Sequence, residues 1–148
     1  MPDVDVRRVQ RYLITIRENT EDIRGLITRY GDDQILKDRY LLKALKYCLI
    51  EIAEAMADTL QHLLSRTKGL AAESYLELVE KASQSALIDP DLLGRLKFFF
   101  KFRNMLVHRY WEIEDRRLLQ ETRKGLEDFE LFMGAVTIAL AGPSTPPV

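Results

Sequence analysis

The sequence predicts an all-α fold, an antiparallel four-helix bundle with one additional short helix. Apolar residues recur at spacings of three and four over several long segments, as on the buried side of a packed helix. No segment shows the strict alternation of apolar and polar residues that is typical of a half-buried strand. A chain of 148 residues can bury one core. We therefore expect a single helical domain over residues 1–141 and a disordered, proline-rich tail over residues 142–148.

The first two predicted helices are both long. Asp5 can cap the first helix, and Gly31 is a suitable residue to end it. The second helix is predicted from about Asp33 to Ser65, and apolar residues on two of its sides predict a central position in the bundle. Cys48 lies in one of these apolar stripes and is expected to be a small buried residue. We expect His62, near the end of this helix, to be structural.

The later helices are indicated by the residues that precede them. Ser74–Glu77 has the capping-box pattern and predicts the start of the short helix. Asp89–Pro90 places a capping side chain before a proline and predicts the start of the fourth helix. Glu114 or Asp115 can cap the last helix. The phenylalanines of the fourth helix are expected in the core, because base-stacking platforms usually place aromatic residues on an exposed surface.

Composition and charge limit the classes of function. One cysteine permits no disulfide within the chain, makes a structural zinc site improbable, and fits a reducing compartment. With no signal-like segment and no apolar run that is long enough for a bilayer, we expect a cytoplasmic protein without membrane contact. The net charge of -1 is uneven, because residues 95–117 sum to +4 and the remainder to -5. Such a basic segment can bind phosphate, although a solvated helix face is the simpler interpretation.

The segment Arg103–Tyr110 concentrates the side chains that RNA cleavage needs. Arginine can hold a phosphate through parallel hydrogen bonds, and histidine can transfer protons near neutral pH. Arg103 and His108 are five residues apart, which rotates them by about 140° on an ideal helix. We therefore expect either that the helix ends near His108 or that two copies form a two-fold homodimer and share one cleft. A monomer at micromolar concentration in sedimentation experiments would contradict the homodimer.

A structural interpretation of the same residues is also open. In it, Arg103 forms a surface ion pair with Glu112 or Glu114, His108 lies near a helix end, and Tyr110 lies at the edge of the core. The residues by themselves do not decide between this interpretation and an active site.

The spacing Arg-x4-His-x-Tyr over residues 103–110 resembles the motif of the HepT-like toxins of the HEPN superfamily. Three further segments, Leu49–Met56, Ser74–Glu77 and Phe99–Asn104, resemble the long second helix, the short-helix region and the approach to the motif in that family. The resemblance covers nearly the whole chain apart from the tail.

This resemblance implies a metal-independent endoribonuclease that acts as the toxin of a type VII-like toxin–antitoxin system. It implies a homodimer that acts on RNA, needs no cofactor, and pairs with a cognate MntA-like nucleotidyltransferase antitoxin. Arg103 and His108 are the implied catalytic residues, and Tyr110 is the residue to which the antitoxin attaches AMP. Asn104 and Arg109 are the candidate substrate-binding residues.

Two other classes of function stay open at this point. The first is a non-catalytic helical module that binds a nucleotide or a partner protein, and the second is a structural bundle without an active site. His108→Ala separates them from the nuclease, because it should abolish cleavage by a nuclease and leave partner binding by a module largely intact.

Overall fold

The computed structural model describes residues 3–107 and 114–142, and in this part of the chain it contains six α-helices and no strand. The helices are α1 (Val6–Arg29), α2 (Asp32–Lys37), α3 (Arg39–Lys68), α4 (Tyr75–Gln84), α5 (Pro90–Val107) and α6 (Asp115–Ala141). The four long helices α1, α3, α5 and α6 form the bundle, and α2 and α4 are short. The prediction of an all-α, four-helix architecture is confirmed, with one more short helix than expected.

Contacts between α1 and α6 show the antiparallel arrangement. Arg24, late in α1, pairs with Glu130 in the second half of α6. Asp32 lies further along the chain than Arg24, and it pairs with Arg123, which precedes Glu130 in α6. Successive contacts therefore advance along one helix and go backwards along the other.

The prediction of one continuous helix from Asp33 to Ser65 is wrong, because the helix is interrupted at Asp38. The Asp38 carboxylate accepts hydrogen bonds from the backbone N–H groups of Tyr40 (2.8 Å) and Leu41 (3.2 Å). An aspartate that bonds to these groups competes with the helical hydrogen bonds and caps a new helix instead. The break produces α2, whose Ile35 is fully buried.

Three predicted helix starts agree with the structure. Asp5 accepts a hydrogen bond from the N–H of Arg8 at 3.1 Å and caps α1. Asp89 bonds to the N–H of Asp91 at the start of α5. The last helix follows Glu114, although Glu114 makes no side-chain capping bond.

The capping box of α4 is present in a shifted form. Ser74 accepts a hydrogen bond from the N–H of Glu77 at 3.1 Å, as the pattern predicts. The Glu77 carboxylate bonds at 3.2 Å to the N–H of Glu73 rather than to that of Ser74. Both bonds fix the entry of the chain into α4, which forms one wall of the cleft described below.

Apolar side chains of all the helices form one core. Phe99, Phe100 and Phe102 of α5 are buried in it, so the phenylalanine cluster belongs to the core as predicted. Cys48 is also buried, and burial raises the pKa of its thiol to about 11. The predicted tail, apart from Gly142, lies outside the described residues, and the division of the chain into a domain and a tail stays a prediction.

Candidate functional site

A polar cleft of about 380 Å³ opens between α3, α4 and α5. Helix α3 forms one side, the start of α4 forms a second, and the end of α5 carries an arginine and an asparagine into it. The residues that line the cleft are Ala57, Asp58, Gln61, Glu73, Ser74, Tyr75, Leu78, Arg103 and Asn104. The polar members outnumber the apolar ones, so the cleft suits a charged or hydrogen-bonding ligand.

The side chain of Arg103 is held by three other residues. Its Nε and Nη2 both donate to the same carboxylate oxygen, Oε1 of Glu54, at 3.2 and 3.1 Å. Its Nη1 is 3.5 Å from Oδ1 of Asn104. Its Cζ lies 5.2 Å from the centre of the Tyr75 ring, within the range of a cation–π interaction. The guanidinium is therefore restrained along one edge and over an aromatic face.

Tyr75 connects this arginine to the core. Its ring stacks on the buried ring of Phe100, with centroids 5.5 Å apart and an interplanar angle of 29°. Partial burial raises the pKa of the Tyr75 hydroxyl; nearby Arg103 opposes this effect, and Glu54 and Asp58 add to it. Tyr75 therefore stays neutral at physiological pH and contributes an aromatic face and a hydroxyl to the cleft.

Acidic side chains on α3 give the cleft a mixed charge. Asp58 lies one helical turn after Glu54 on the same side of the helix. Desolvation raises the pKa of Asp58 and repulsion from Glu54 raises it further, whereas attraction to Arg103 lowers it. The acids of this wall favour partners that donate hydrogen bonds or carry positive charge, and Arg103 supplies the cation for an anionic group.

Ion pairs neutralise part of the basic segment that the sequence indicated. Arg95 pairs with Asp128 at 2.9 Å and Arg103 pairs with Glu54 at 3.1 Å. Asp115, an acid of the same segment, pairs with Lys46 at 3.0 Å and offsets part of this neutralisation. The segment is therefore less positive than its residue count suggests.

The structure brings two of the five predicted site residues together. Arg103 and Asn104 lie side by side at the end of α5 and both line the cleft. The other three, His108, Arg109 and Tyr110, lie outside the described residues.

The structural interpretation placed Arg103 in an ion pair with Glu112 or Glu114. Arg103 does form an ion pair, but with Glu54 of α3 rather than with Glu114. Glu112, the other partner considered, lies outside the described residues. An ion pair at the edge of an open polar cleft is compatible with a functional arginine.

Sequence reasoning missed Glu54, Tyr75 and Asp58. One signal for Glu54 was available, because it is the only polar residue in the segment Ile52–Ala57, whose other five side chains are buried. An acid in such a run indicates a partner on a neighbouring helix.

The other histidine, His62, has a structural environment. It is buried near the end of α3, and its Nε2 accepts a hydrogen bond from the N–H of Asp5 at 2.9 Å. Burial lowers the pKa of His62, as do the positive charges of Arg66 and Arg8, while Asp5 opposes the shift. Within the described residues, no three His, Cys, Asp or Glu side chains cluster as metal ligands would.

Comparison with known proteins identifies the family. Residues 16–136 match the family described as HepT-like, Ribonuclease HepT-like. The chain belongs to the Ribonuclease HepT-like family. The match includes the parts of α3, α4 and α5 that line the cleft and the segment that contains the predicted motif. No curated protein matches the chain significantly.

Solved structures with the same fold include toxins in complex with antitoxins. A tri-AMPylated HEPN toxin of Shewanella oneidensis, in complex with MNT antitoxin, is 25% identical, with a TM-score of 0.80 over 88% of this chain and 97% of that chain. A toxin–antitoxin complex with AMP-PNP is 25% identical, with a TM-score of 0.77 over 87% and 97%. A mutant MntA–HpeT complex, at 23% identity and a TM-score of 0.78 over 89% and 98%, shows the shared fold.

Among residues 3–107 and 114–142, no helix combines the length and the apolar character needed to cross a membrane.

Proposed function

We propose that this chain is the toxin of a toxin–antitoxin pair and cleaves RNA as a metal-independent endoribonuclease. The observation that carries the proposal is an arginine at the edge of a polar cleft, in a chain whose residues 16–136 match the Ribonuclease HepT-like family. The neighbouring structures of HEPN toxins in complex with antitoxin support the toxin role. We place the protein in the cytoplasm as part of this proposal.

The roles of the motif residues follow from their chemistry. Arg103 holds the scissile phosphate and balances the negative charge that grows on it in the transition state. His108 transfers a proton, either from the attacking 2′-hydroxyl or to the leaving 5′-oxygen. Asn104 and Arg109 contact the RNA beside the reacting phosphate. Because one rigid helix does not easily direct Arg103 and His108 at one phosphate, the proposal includes a homodimer whose two motifs face each other.

RNA cleavage by purified, unmodified protein tests this proposal. Wild type, Arg103→Ala and His108→Ala are incubated with total transfer RNA in EDTA, after intact mass has shown that no AMP is attached. Arg103→Ala should lose roughly 10²–10³-fold in rate, as when one preorganised donor to a developing charge is removed. His108→Ala should lose roughly 10²–10⁴-fold, as when an acid–base group is removed.

Arg24→Ala is the matched control for Arg103→Ala. Arg24 is also an arginine in an ion pair, with Glu130, but it lies on α1 and does not line the cleft. It should cleave like wild type. Equal cleavage by all variants would indicate a contaminating nuclease or the wrong site. No cleavage by wild type, on transfer RNA or on messenger RNA, would favour the non-catalytic binding module.

The antitoxin part of the proposal concerns Tyr110. A nucleotidyltransferase would join the Tyr110 oxygen to the α-phosphorus of ATP and release pyrophosphate. The added phosphate would lie near the positive motif residues and block RNA by its charge and bulk. The AMPylated HEPN toxin among the structural neighbours supports this assignment.

Intact mass and cleavage together test the role of Tyr110. After incubation with ATP and the cognate antitoxin, wild type should gain the mass of one or more AMP groups and stop cleaving RNA. Tyr110→Phe should gain no AMP at this position and keep cleaving. Continued neutralisation of Tyr110→Phe would contradict the assignment. Mass mapping that located the neutralising AMP on another residue would also contradict it.

A further inference from the structure

The Glu54 carboxylate accepts two hydrogen bonds from one edge of the Arg103 guanidinium. A guanidinium has two edges at which it can bind an anion through two nitrogens, one with Nε and Nη2 and the other with Nη1 and Nη2. Glu54 occupies the first edge through a single oxygen, Oε1, at 3.2 and 3.1 Å. The second edge, with Nη1, is the one next to Asn104, and both of these residues line the cleft.

This ion pair orients the Arg103 guanidinium and adds little to the stability of the fold. About 45% of the Glu54 side chain and 24% of the Arg103 side chain are exposed to solvent. Pairs with this exposure contribute little to folding stability. A carboxylate next to a phosphate site also repels phosphate and offsets the positive charge of the arginine, so it does not strengthen RNA binding. What it provides is a fixed direction for the guanidinium.

Tyr75 completes the restraint from another direction. Its ring lies against the guanidinium and stacks on buried Phe100 of α5, the helix that carries Arg103. Arg103 is thus restrained by α3 along its edge and by α4 over an aromatic face. Long side chains lose considerable freedom when they bind a ligand, and restraint before binding reduces that loss.

We propose that Glu54 is a positioning residue that holds the Arg103 guanidinium so that its Nη1–Nη2 edge faces the scissile phosphate of RNA. The inference rests on the proposed ribonuclease function and assigns a role to a residue outside the predicted motif. It predicts that the accepting oxygen of Glu54 matters for the reaction and that its negative charge does not.

Two substitutions separate the oxygen from the charge. Glu54→Gln keeps a carbonyl oxygen at the position of Oε1, which can accept both N–H groups, and removes the charge. Glu54→Ala removes both. Glu54→Gln should keep a kcat close to that of wild type, whereas kcat of Glu54→Ala should fall by about 10- to 100-fold because the guanidinium is misplaced. KM for RNA should not rise in either variant, since both lose a charge that repels phosphate.

Glu130→Ala is the matched control, because Glu130 also pairs with an arginine, Arg24, away from the cleft. It should leave kcat and KM unchanged. All three variants should unfold at a urea midpoint close to that of wild type, as expected for partly exposed ion pairs. Equal losses of kcat in Glu54→Gln and Glu54→Ala, or wild-type kcat in Glu54→Ala, would overturn the positioning role.

A measurement without RNA keeps this inference separate from the proposed function. In wild type and Glu54→Gln, the NMR signal of the Arg103 Nε–H should show slow solvent exchange and hindered side-chain rotation. In Glu54→Ala it should resemble an arginine in free solution. A wild type that cleaves no RNA would refute the proposed function, whereas equally free Arg103 signals in all variants would refute the positioning role even if RNA is cleaved.

Discussion

The two sides of α5 face opposite environments. Towards α6, Phe99 meets the edge of the Phe129 ring at 4.8 Å between centroids and lies directly against Gly125. Towards α3 and α4, Arg103 contacts Glu54 and Tyr75 beside an open cleft. The first contact is apolar and has no spare room, and the second is polar and open.

This difference shows how the helix can hold a polar side chain beside an open cleft. Burial of a Phe side chain contributes roughly 1.5–3 kcal/mol relative to its exposure, more than a partly exposed ion pair does. The apolar side therefore holds α5 in place, and the polar side can present Arg103 to a ligand at little cost in stability. Substitutions on the two sides should then separate stability from activity.

The largest effect on stability is expected at Gly125. A Cβ at this position would lie 2.4 Å from Cζ and 2.7 Å from Cε2 of Phe99, whose buried ring cannot move away freely. Gly125→Ala should destabilise the protein by about 1–3 kcal/mol through overpacking, measured as the urea midpoint of unfolding. Cleavage per folded molecule should change much less than in Arg103→Ala.

Gly134→Ala is the control for this prediction. Gly134 is also inside α6, but it is exposed and a Cβ there would meet no atom within 4 Å. It should stabilise the protein by up to about 1 kcal/mol, because alanine favours the helix over glycine. If both variants changed stability in the same direction, the close contact between α5 and α6 would not be the reason for glycine at position 125.

The sequence predicts the apolar side of α5 better than the polar side. Burial of Phe99 follows from the spacing of its own helix, and a capping residue such as Asp89 acts within a few residues of its own position. The ion pair between Glu54 and Arg103 joins residues that are 49 positions apart. Such a contact depends on how α3 and α5 pack, and the periodicity of neither helix specifies it.

Competition between the Asp38 side chain and the helical backbone hydrogen bonds explains why the break between α2 and α3 was not predicted. The apolar spacing continues across Asp38, so it predicts one helix there. The Asp38 side chain instead bonds to the backbone just after it, and this bond decides the start of α3. In the candidate site, Arg103 and Asn104 both line the cleft, and their roles there stay predictions. The position of Tyr75 beside them depends on how α4 packs against α5, which the sequence does not specify.

The smallest expected effect concerns His62, a buried polar residue that accepts a hydrogen bond from Asp5 and does not line the cleft around Arg103. Its neutral Nε2 accepts the Asp5 N–H, and a protonated ring would lose this bond. The pKa of His62 is lowered by burial and by Arg66 and Arg8, so below about pH 6.5 the unfolded chain binds more protons than the folded one. The stability that His62 contributes should be fully present above this pH and be lost as the pH falls through its lowered pKa.

His62→Gln tests this, because the glutamine amide oxygen can still accept the Asp5 N–H and does not titrate. Between pH 7 and pH 5.5, the urea midpoint of wild type should fall more than that of His62→Gln. The extra loss in free energy of unfolding should be less than about 1 kcal/mol, the usual contribution of one hydrogen bond. Cleavage at pH 7 should be the same in both proteins. Parallel pH profiles of stability would show that His62 is not the titrating group, whereas a loss of cleavage in His62→Gln would extend the functional side of the molecule beyond the cleft around Arg103.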